Sequence, residues 1–321
     1  MPVNQCIILA AGYGTRMGEI GKQLPKVMWP LFQYNLLETQ ILFASTLGMT
    51  KFYINIHFQA DSIKISDELR EKFTIELIRE KNLLGSGGGI HNILKNSSID
   101  KASPLLILNS DAYFMLTKKD IERSLESLMQ SDAAVSLFPI PCLEKDSYNR
   151  LITKNNKLIK VSSRDDSSES NITYAGVAVC LPKRLSLSVG ESSFFNSVAN
   201  YKNNEVLVAP SLEWEFLDFG TSDRYFREIM NFMKDLKSKK KSSFIDFMTA
   251  FILKEDDLDL QLMSYNCEYP KILNFSNTKI DIENKSKKDF VIFDYNNKSG
   301  KFLKDDQSGI IYKNIFQEET K

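Results

Sequence analysis

The stretch Leu9-Ala10-Ala11-Gly12-Tyr13-Gly14-Thr15-Arg16-Met17-Gly18, followed by Leu24-Pro25-Lys26, decides how the rest of the chain is read. The run from Gln5 to Ala11 is apolar enough for a buried strand, and it feeds a loop with glycines at 12 and 14. Glycine admits φ > 0 and lets backbone N–H groups approach a ligand closely. Successive N–H groups in such a turn form an anion-binding concavity. Arg16 can grip phosphate oxygens with a planar fork, and Lys26 adds a point charge. A triphosphate needs this set, with N–H donors along the chain and cations where charge develops. The loop lacks the third glycine of a dinucleotide fingerprint and the Gly-Lys-Ser/Thr of a Walker A loop.

Outward from that loop, short apolar runs alternate with helical patterns, the signature of βαβ units and a mostly parallel sheet. Strands are predicted at 52–57, 73–79, 104–109, 133–139 and 173–181. Helices are predicted at 35–47, 61–72 with Asp61 as N-cap, 117–129 capped by Thr117, and 221–236 capped by Thr221. Residues 150–162 alternate around Asn155-Asn156 as a hairpin would, and 206–219 carry strand pattern with Trp214. The run Gly85–Gly89 is expected to be a loop that opens a helix ending near Lys95. A lysine- and serine-rich break at 237–243 separates residues 1–236 from a small C-terminal region, 244–321. That region reads as a helix near 244–253 followed by β-like runs at 258–265, 271–275, 290–294 and 309–315. It shows no hexapeptide period, and an interface or a lid would both suit it.

Composition sets limits. Forty-one basic residues balance forty-one acidic ones. A balanced charge gives no global pull toward nucleic acid or anionic membrane, so phosphate must be held by local groups. Four cysteines without a CxxC pair read as reduced, buried thiols, and two histidines are too few for a His-rich zinc site. Both His57, at a strand end, and His91, after the glycine run, read as structural. The N-terminus has no basic n-region and no apolar run approaches a membrane span, so the cytoplasm is the expected compartment.

Gly-x-Gly-Thr-Arg with Pro25-Lys26 downstream resembles the signature of the sugar-1-phosphate nucleotidyltransferases, over roughly residues 4–230. The resemblance implies a Rossmann-like three-layer α/β domain with a mixed, mostly parallel sheet, to which a small α+β region is appended. It implies that Gly12, Gly14, Thr15 and Arg16 wrap the triphosphate, that the Leu9-Ala10-Ala11 backbone lies beside the nucleotide, and that Lys26 sits on the phosphates being joined. A glycine run can let a flat base pack on its backbone with N–H groups pointing outward. In the family the base lies on such a segment, here Gly87 and Gly88, preceded by an acidic or amide residue, here Glu80. Leu84-Gly85-Ser86-Gly87-Gly88-Gly89-Ile90 looks most like the branch with heptose- and mannose-1-phosphate guanylyltransferases and muramate-phosphate uridylyltransferases.

Asn109-Ser110-Asp111 places a carboxylate just past a buried strand, where open α/β sheets bind ligands and where Mg²⁺ finds a hard oxygen. It resembles the family's Asn-Gly-Asp, with serine for glycine, which assigns Asp111 to the metal. Phe216-Leu217-Asp218-Phe219-Gly220-Thr221 resembles the Trp-x-Asp-x-Gly-Thr element that supplies a second metal carboxylate, Asp218, although phenylalanine stands at the tryptophan position. Tyr174 and Gly176, in a strand of the family's Thr-Gly-Ile type, and Lys160 are candidates for the sugar pocket. The expected chemistry is Mg²⁺-dependent transfer from GTP or UTP to a sugar-1-phosphate, releasing pyrophosphate; a homodimer is compatible with it. Two rivals remain: a cytidylyltransferase acting on choline phosphate or a related alcohol phosphate, and a catalytically silent nucleotide-sugar sensor.

Overall fold

Apolar runs of five to nine residues form the central strands of the chain, as their burial requires. The structure, a computed structural model, describes residues 2–17, 21–22, 24–32, 34–142, 148–162, 171–210, 214–253, 272–275, 290–293, 301–305 and 310–314. It divides into two compact units, one of Met1–Gly12, Gln40–Ala60 and Ile65–Phe216, the other of Tyr13–Thr39, Asp61–Lys64 and Leu217–Lys321. Compactness thus divides the chain along another line than the sequence blocks 1–236 and 244–321.

The first unit is a nine-stranded mixed sheet. Its strands are β1 (Gln5–Leu9), β2 (Lys51–Ile56), β3 (Thr74–Arg79), β4 (Leu105–Asn109), β5 (Val135–Pro141), β6 (Arg150–Lys154), β7 (Lys157–Ser162), β8 (Ile172–Cys180) and β9 (Val206–Val208). They lie in the order β3-β2-β1-β4-β8-β5-β9-β7-β6. The block β3-β2-β1-β4 is parallel, with Leu9 level with Asn55 on one side and Asn109 on the other. The C-terminal ends of these strands therefore present Ala10, His57, Glu80 and Ser110 along one edge, the usual ligand edge of an open α/β sheet. Antiparallel β8 turns the sheet from parallel to mixed, and the predicted hairpin is β6–β7 with Asn155 and Asn156 at positive φ.

Helices α1 (Leu36–Thr46), α2 (Asp67–Lys72), α3 (Gly85–Asn96), α4 (Lys118–Met129) and α5 (Phe194–Ser197) complete the connections. Three expectations are corrected. Residues 61–66 do not belong to α2, because Ile63 and Ile65 bury their side chains at a spacing of two, so the helix starts after Ser66 rather than Asp61. The glycine run is not a loop before α3 but its first turn. The pattern at 206–219 splits into β9 and a short strand, Phe216–Asp218, on either side of Pro210, which cannot donate to a ladder. Cys6 and Cys180 are free and buried, as expected, Cys142 is buried, and Cys267 lies outside the described residues.

In the second unit, α6 (Ser222–Lys237) buries Tyr225, Ile229, Phe232 and Met233, one face at helical spacing. Thr221 caps it by accepting from the Arg224 amide at 3.2 Å. The Tyr225 ring meets Trp29 edge-on at 4.9 Å while its hydroxyl donates to the Pro30 carbonyl. Phe232 lies against Phe32 and against Phe244 of α7 (Ser243–Phe251). A four-stranded sheet contains β10 (Ile272–Phe275), β11 (Phe290–Phe293), β12 (Lys301–Asp305) and β13 (Ile310–Asn314). Strand β12 has no counterpart in the sequence reading, and the expected run at 258–265 lies outside the described residues. Among the described residues no helix is long and apolar enough to cross a membrane.

Candidate active site

At the parallel edge of the first unit, one side-chain chain ties three strand ends together. The Ala10 amide donates to Asn55 Oδ1 at 2.9 Å, and Asn55 Nδ2 donates to Glu80 Oε1 at 2.7 Å. Glu80 Oε2 then accepts from the Leu84 amide at 3.0 Å, where the chain enters α3. Asn55 and Glu80 are 2% and 3% exposed, so a loss of either partner would strand buried polar atoms. The network sets the height of the Ala10–Ala11 backbone against the start of α3. His57 Nδ1 lies 3.0 Å from the Glu80 carbonyl, a satisfied structural histidine as expected.

The glycine run is required by packing. A Cβ at Gly87 would lie 2.3 Å from Ser197 Oγ and 2.4 Å from the Ser193 carbonyl. One at Gly88 would lie 2.4 Å from the Gly190 carbonyl, and one at Gly89 would meet Asn55 and Glu80. The expectation that these N–H groups point outward is not met: the Gly87 and Gly88 amides both donate to the Ser192 carbonyl, at 2.9 and 3.2 Å. In return the Phe194 amide donates to Ser86 Oγ at 3.0 Å. Segment 190–197 therefore locks onto the first turn of α3, a contact that nothing in the local sequence announces.

Asp111 lies two residues past the end of β4 and is half-buried beside the buried Ser110. Gly176 has φ +78°, and a Cβ there would lie 2.5 Å from Asn109 Nδ2, so its glycine makes room for the residue that ends β4. The β8–β5 register shifts between Tyr174 and Ala178 around this position. The Tyr174 ring stacks on Phe194 at 5.1 Å and 6°, and burial raises the pKa of its hydroxyl. Lys160 is exposed on β7, separated from β4 by β8, β5 and β9.

In the second unit, Gly14 has φ +63°, and a Cβ there would meet Lys26 Cβ at 3.4 Å. The loop thus turns back against Lys26 with Thr15 and Arg16 exposed. Pro25 opens the 3-10 turn Lys26–Met28, whose Val27 and Met28 are buried while Lys26 is half-exposed. Asp218 Oδ1 accepts from the Gly220 amide at 2.6 Å, and Oδ2 pairs with Arg224 in the first turn of α6. Arg224 is a neighbour the sequence reading missed; its place six residues on, behind a cap, was the available signal.

Residues 6–154 match the model of the MobA-like NTP transferase domain. Over these residues the chain is similar to the MobA-like NTP transferases. Among curated relatives, the bifunctional protein GlmU of Buchnera aphidicola is 28% identical over 171 residues, 53% of this chain and 36% of GlmU. The D-glycero-alpha-D-manno-heptose 1-phosphate guanylyltransferase of Aneurinibacillus thermoaerophilus is 24% identical over 169 residues, 52% of this chain and 71% of the relative. The chain thus spans about a third of the length of the GlmU relative. HddC from Yersinia pseudotuberculosis, complexed with GMP-PN, superposes with a TM-score of 0.57 at 20% identity, over 72% of this chain and all of HddC. UDP-glucose pyrophosphorylase from Acinetobacter baumanii gives 0.59 at 16%, over 78% of this chain and all of that one. These structures share the α/β nucleotidyltransferase fold, with its mixed sheet.

Proposed function

We propose that the chain transfers the nucleotidyl group of GTP or UTP to a sugar-1-phosphate, forming a nucleotide sugar and pyrophosphate. The observation that carries this is the phosphate loop: Gly14 in the left-handed region against Lys26, with Arg16 exposed beside it, following the central parallel strand of an NTP transferase domain. Curated relatives named as sugar-phosphate guanylyltransferases support the acceptor class.

The sugar phosphate oxygen attacks the α-phosphorus in line, and pyrophosphate leaves. The nucleophile is already an anion, so no general base is needed, and positioning and charge stabilisation supply the catalysis. Gly12, Gly14 and Thr15 hold the triphosphate, Arg16 stabilises the leaving pyrophosphate and Lys26 bridges the reacting phosphates. Leu9, Ala10 and Ala11 border the nucleotide. Glu80, through Asn55 and Leu84, together with Gly87 and Gly88, fixes the platform for the base. Tyr174, Gly176 and Lys160 are assigned to the sugar side.

The donor chemistry fits Mg²⁺. Among the described residues no group of three or more ligating side chains gathers. Mg²⁺ commonly takes only one or two carboxylates together with phosphate oxygens and water. Asp111 and Asp218 are hard carboxylate oxygens of the kind such a site uses. Asp111 and Asp218 would hold the ion, which when bound neutralises phosphate charge and orients the groups.

The test is a matrix of NTPs against sugar-1-phosphates with Mg²⁺, reading pyrophosphate. Turnover of a GTP or UTP pair that is lost in Asp111→Asn and Arg16→Ala supports the reading. No turnover with any pair, or activity indifferent to both substitutions, refutes it.

A further inference from the structure

A cavity of about 670 Å³ opens in the first unit between α4 and strands β5 and β9. Its size lies within the range of small-molecule sites, about 300–1,000 Å³. Its floor is aromatic. Phe138 on β5 is 1% exposed, and the half-buried Trp214 meets it edge-on at 5.9 Å.

The wall is polar. Asp120, Arg123, Ser124 and Ser127 recur at i, i+3, i+4 and i+7, so one face of α4 turns hydroxyls and charges to the cavity. A helix meant to receive a protein segment there would carry an apolar stripe. The Ser124 hydroxyl is buried and has no hydrogen-bond partner among the described residues.

Four of the five lining charges stand in pairs, and the fifth, Asp132, is acidic. Lys157 is paired with Glu205, and Arg123 stands 3.6 Å from Asp120. Asp120 is further held by the Thr117 amide at 2.9 Å. Three acidic and two basic side chains line the cavity, a balance that disfavours a phosphate or other anion.

An aromatic floor, a wall of hydroxyls and paired charges, and no cationic excess suit a neutral ring with one C–H face and a rim of hydroxyls. We propose that this cavity binds a neutral saccharide of one or two rings, apart from the substrates of the nucleotidyl transfer. The ring's apolar face lies on Trp214, which Phe138 supports edge-on from beneath, and its hydroxyls reach Ser127 and the ion pairs. The proposal goes beyond the transfer reaction and stands or falls separately from it.

The full chain has two tryptophans, and Trp29 is 2% exposed, so Trp214 is the one within reach of such a ligand. Neutral mono- and disaccharides, sugar phosphates and NTPs are titrated separately, reading tryptophan fluorescence and saturation-transfer NMR. A saturable signal is expected from a neutral saccharide, undisturbed by NTP or sugar phosphate. Ser127→Phe, at an exposed position that tolerates bulk, fills the cavity and should weaken that binding about tenfold or more while pyrophosphate release is unchanged. No signal from any neutral saccharide would overturn the proposal. So would binding that Ser127→Phe leaves intact, displacement by sugar phosphate, or an anion as the preferred ligand.

Discussion

Asn55 joins Ala10 to Glu80: its Oδ1 accepts from the Ala10 amide at 2.9 Å and its Nδ2 donates to Glu80 Oε1 at 2.7 Å. One buried amide thereby fixes the end of β1, the end of β2 and the entry to α3. Asn55→Ala leaves an amide N–H and a carboxylate oxygen buried without partners, each costing about 1–3 kcal/mol. The expected result is a lower urea midpoint at unchanged m-value, with NTP binding weakened even under conditions where the variant stays folded.

Gly12 and Gly87 separate two uses of glycine. A Cβ on Gly87 would collide with the Ser193 carbonyl, whereas nothing lies within 4 Å of one on Gly12. Gly87→Ala should destabilise by about 1–3 kcal/mol, the usual scale of overpacking. Gly12→Ala should melt like the parent and raise the NTP KM, because its Cβ intrudes on ligand rather than protein. Calorimetric melting beside steady-state kinetics distinguishes them.

Arg16 is exposed, so its removal should leave stability within about 0.5 kcal/mol. If it stabilises the leaving pyrophosphate, Arg16→Ala should lower kcat by about 10²–10³, the cost of one lost charge-stabilising donor. A kcat within a few-fold of the parent's would remove Arg16 from the mechanism.

Arg224 competes with any cation for Asp218, since it pairs with Oδ2 of that carboxylate. Arg224→Ala should therefore tighten Mn²⁺ binding measured without nucleotide, and Asp218→Asn should weaken it. Unchanged affinity in both would take Asp218 out of the metal site.

His91 on α3 is 1% exposed, and burial lowers its pKa below the ordinary imidazole value. The folded state then binds fewer protons than the unfolded chain once the pH falls below about 6.5. Stability is present above that value and is lost as the pH drops toward the folded pKa. His91→Leu should flatten the dependence of the melting temperature on pH between neutrality and mild acid; a dependence equal to the parent's would exclude His91 as its source.

The strands and helices were legible wherever one local period held over the whole element. Thr117 with its amphipathic helix, and the Asn155-Asn156 hairpin, are cases in point. The reading departs from the structure at 61–66, where Ile63 and Ile65 are buried at a spacing of two and the helix starts only at Asp67, and at 206–219, where a proline cuts one pattern into two strands. It also gave no sign that segment 190–197 packs against the glycine run. Ser86 and Phe194 bond across 108 residues, and no window of sequence contains both.

The sequence by itself determined the glycine turn after β1, the strand pattern behind it and the positions of Asp111 and Asp218 at strand ends, because each depends on residues that are neighbours in the chain. Only the tertiary structure decided that Asn55 and Glu80 brace Ala10 at the end of β1, that segment 190–197 occupies the amides of Gly87 and Gly88, and that a polar face of α4 stands beside Trp214. Those outcomes follow from close packing between distant segments, where a difference of one methyl group decides what fits.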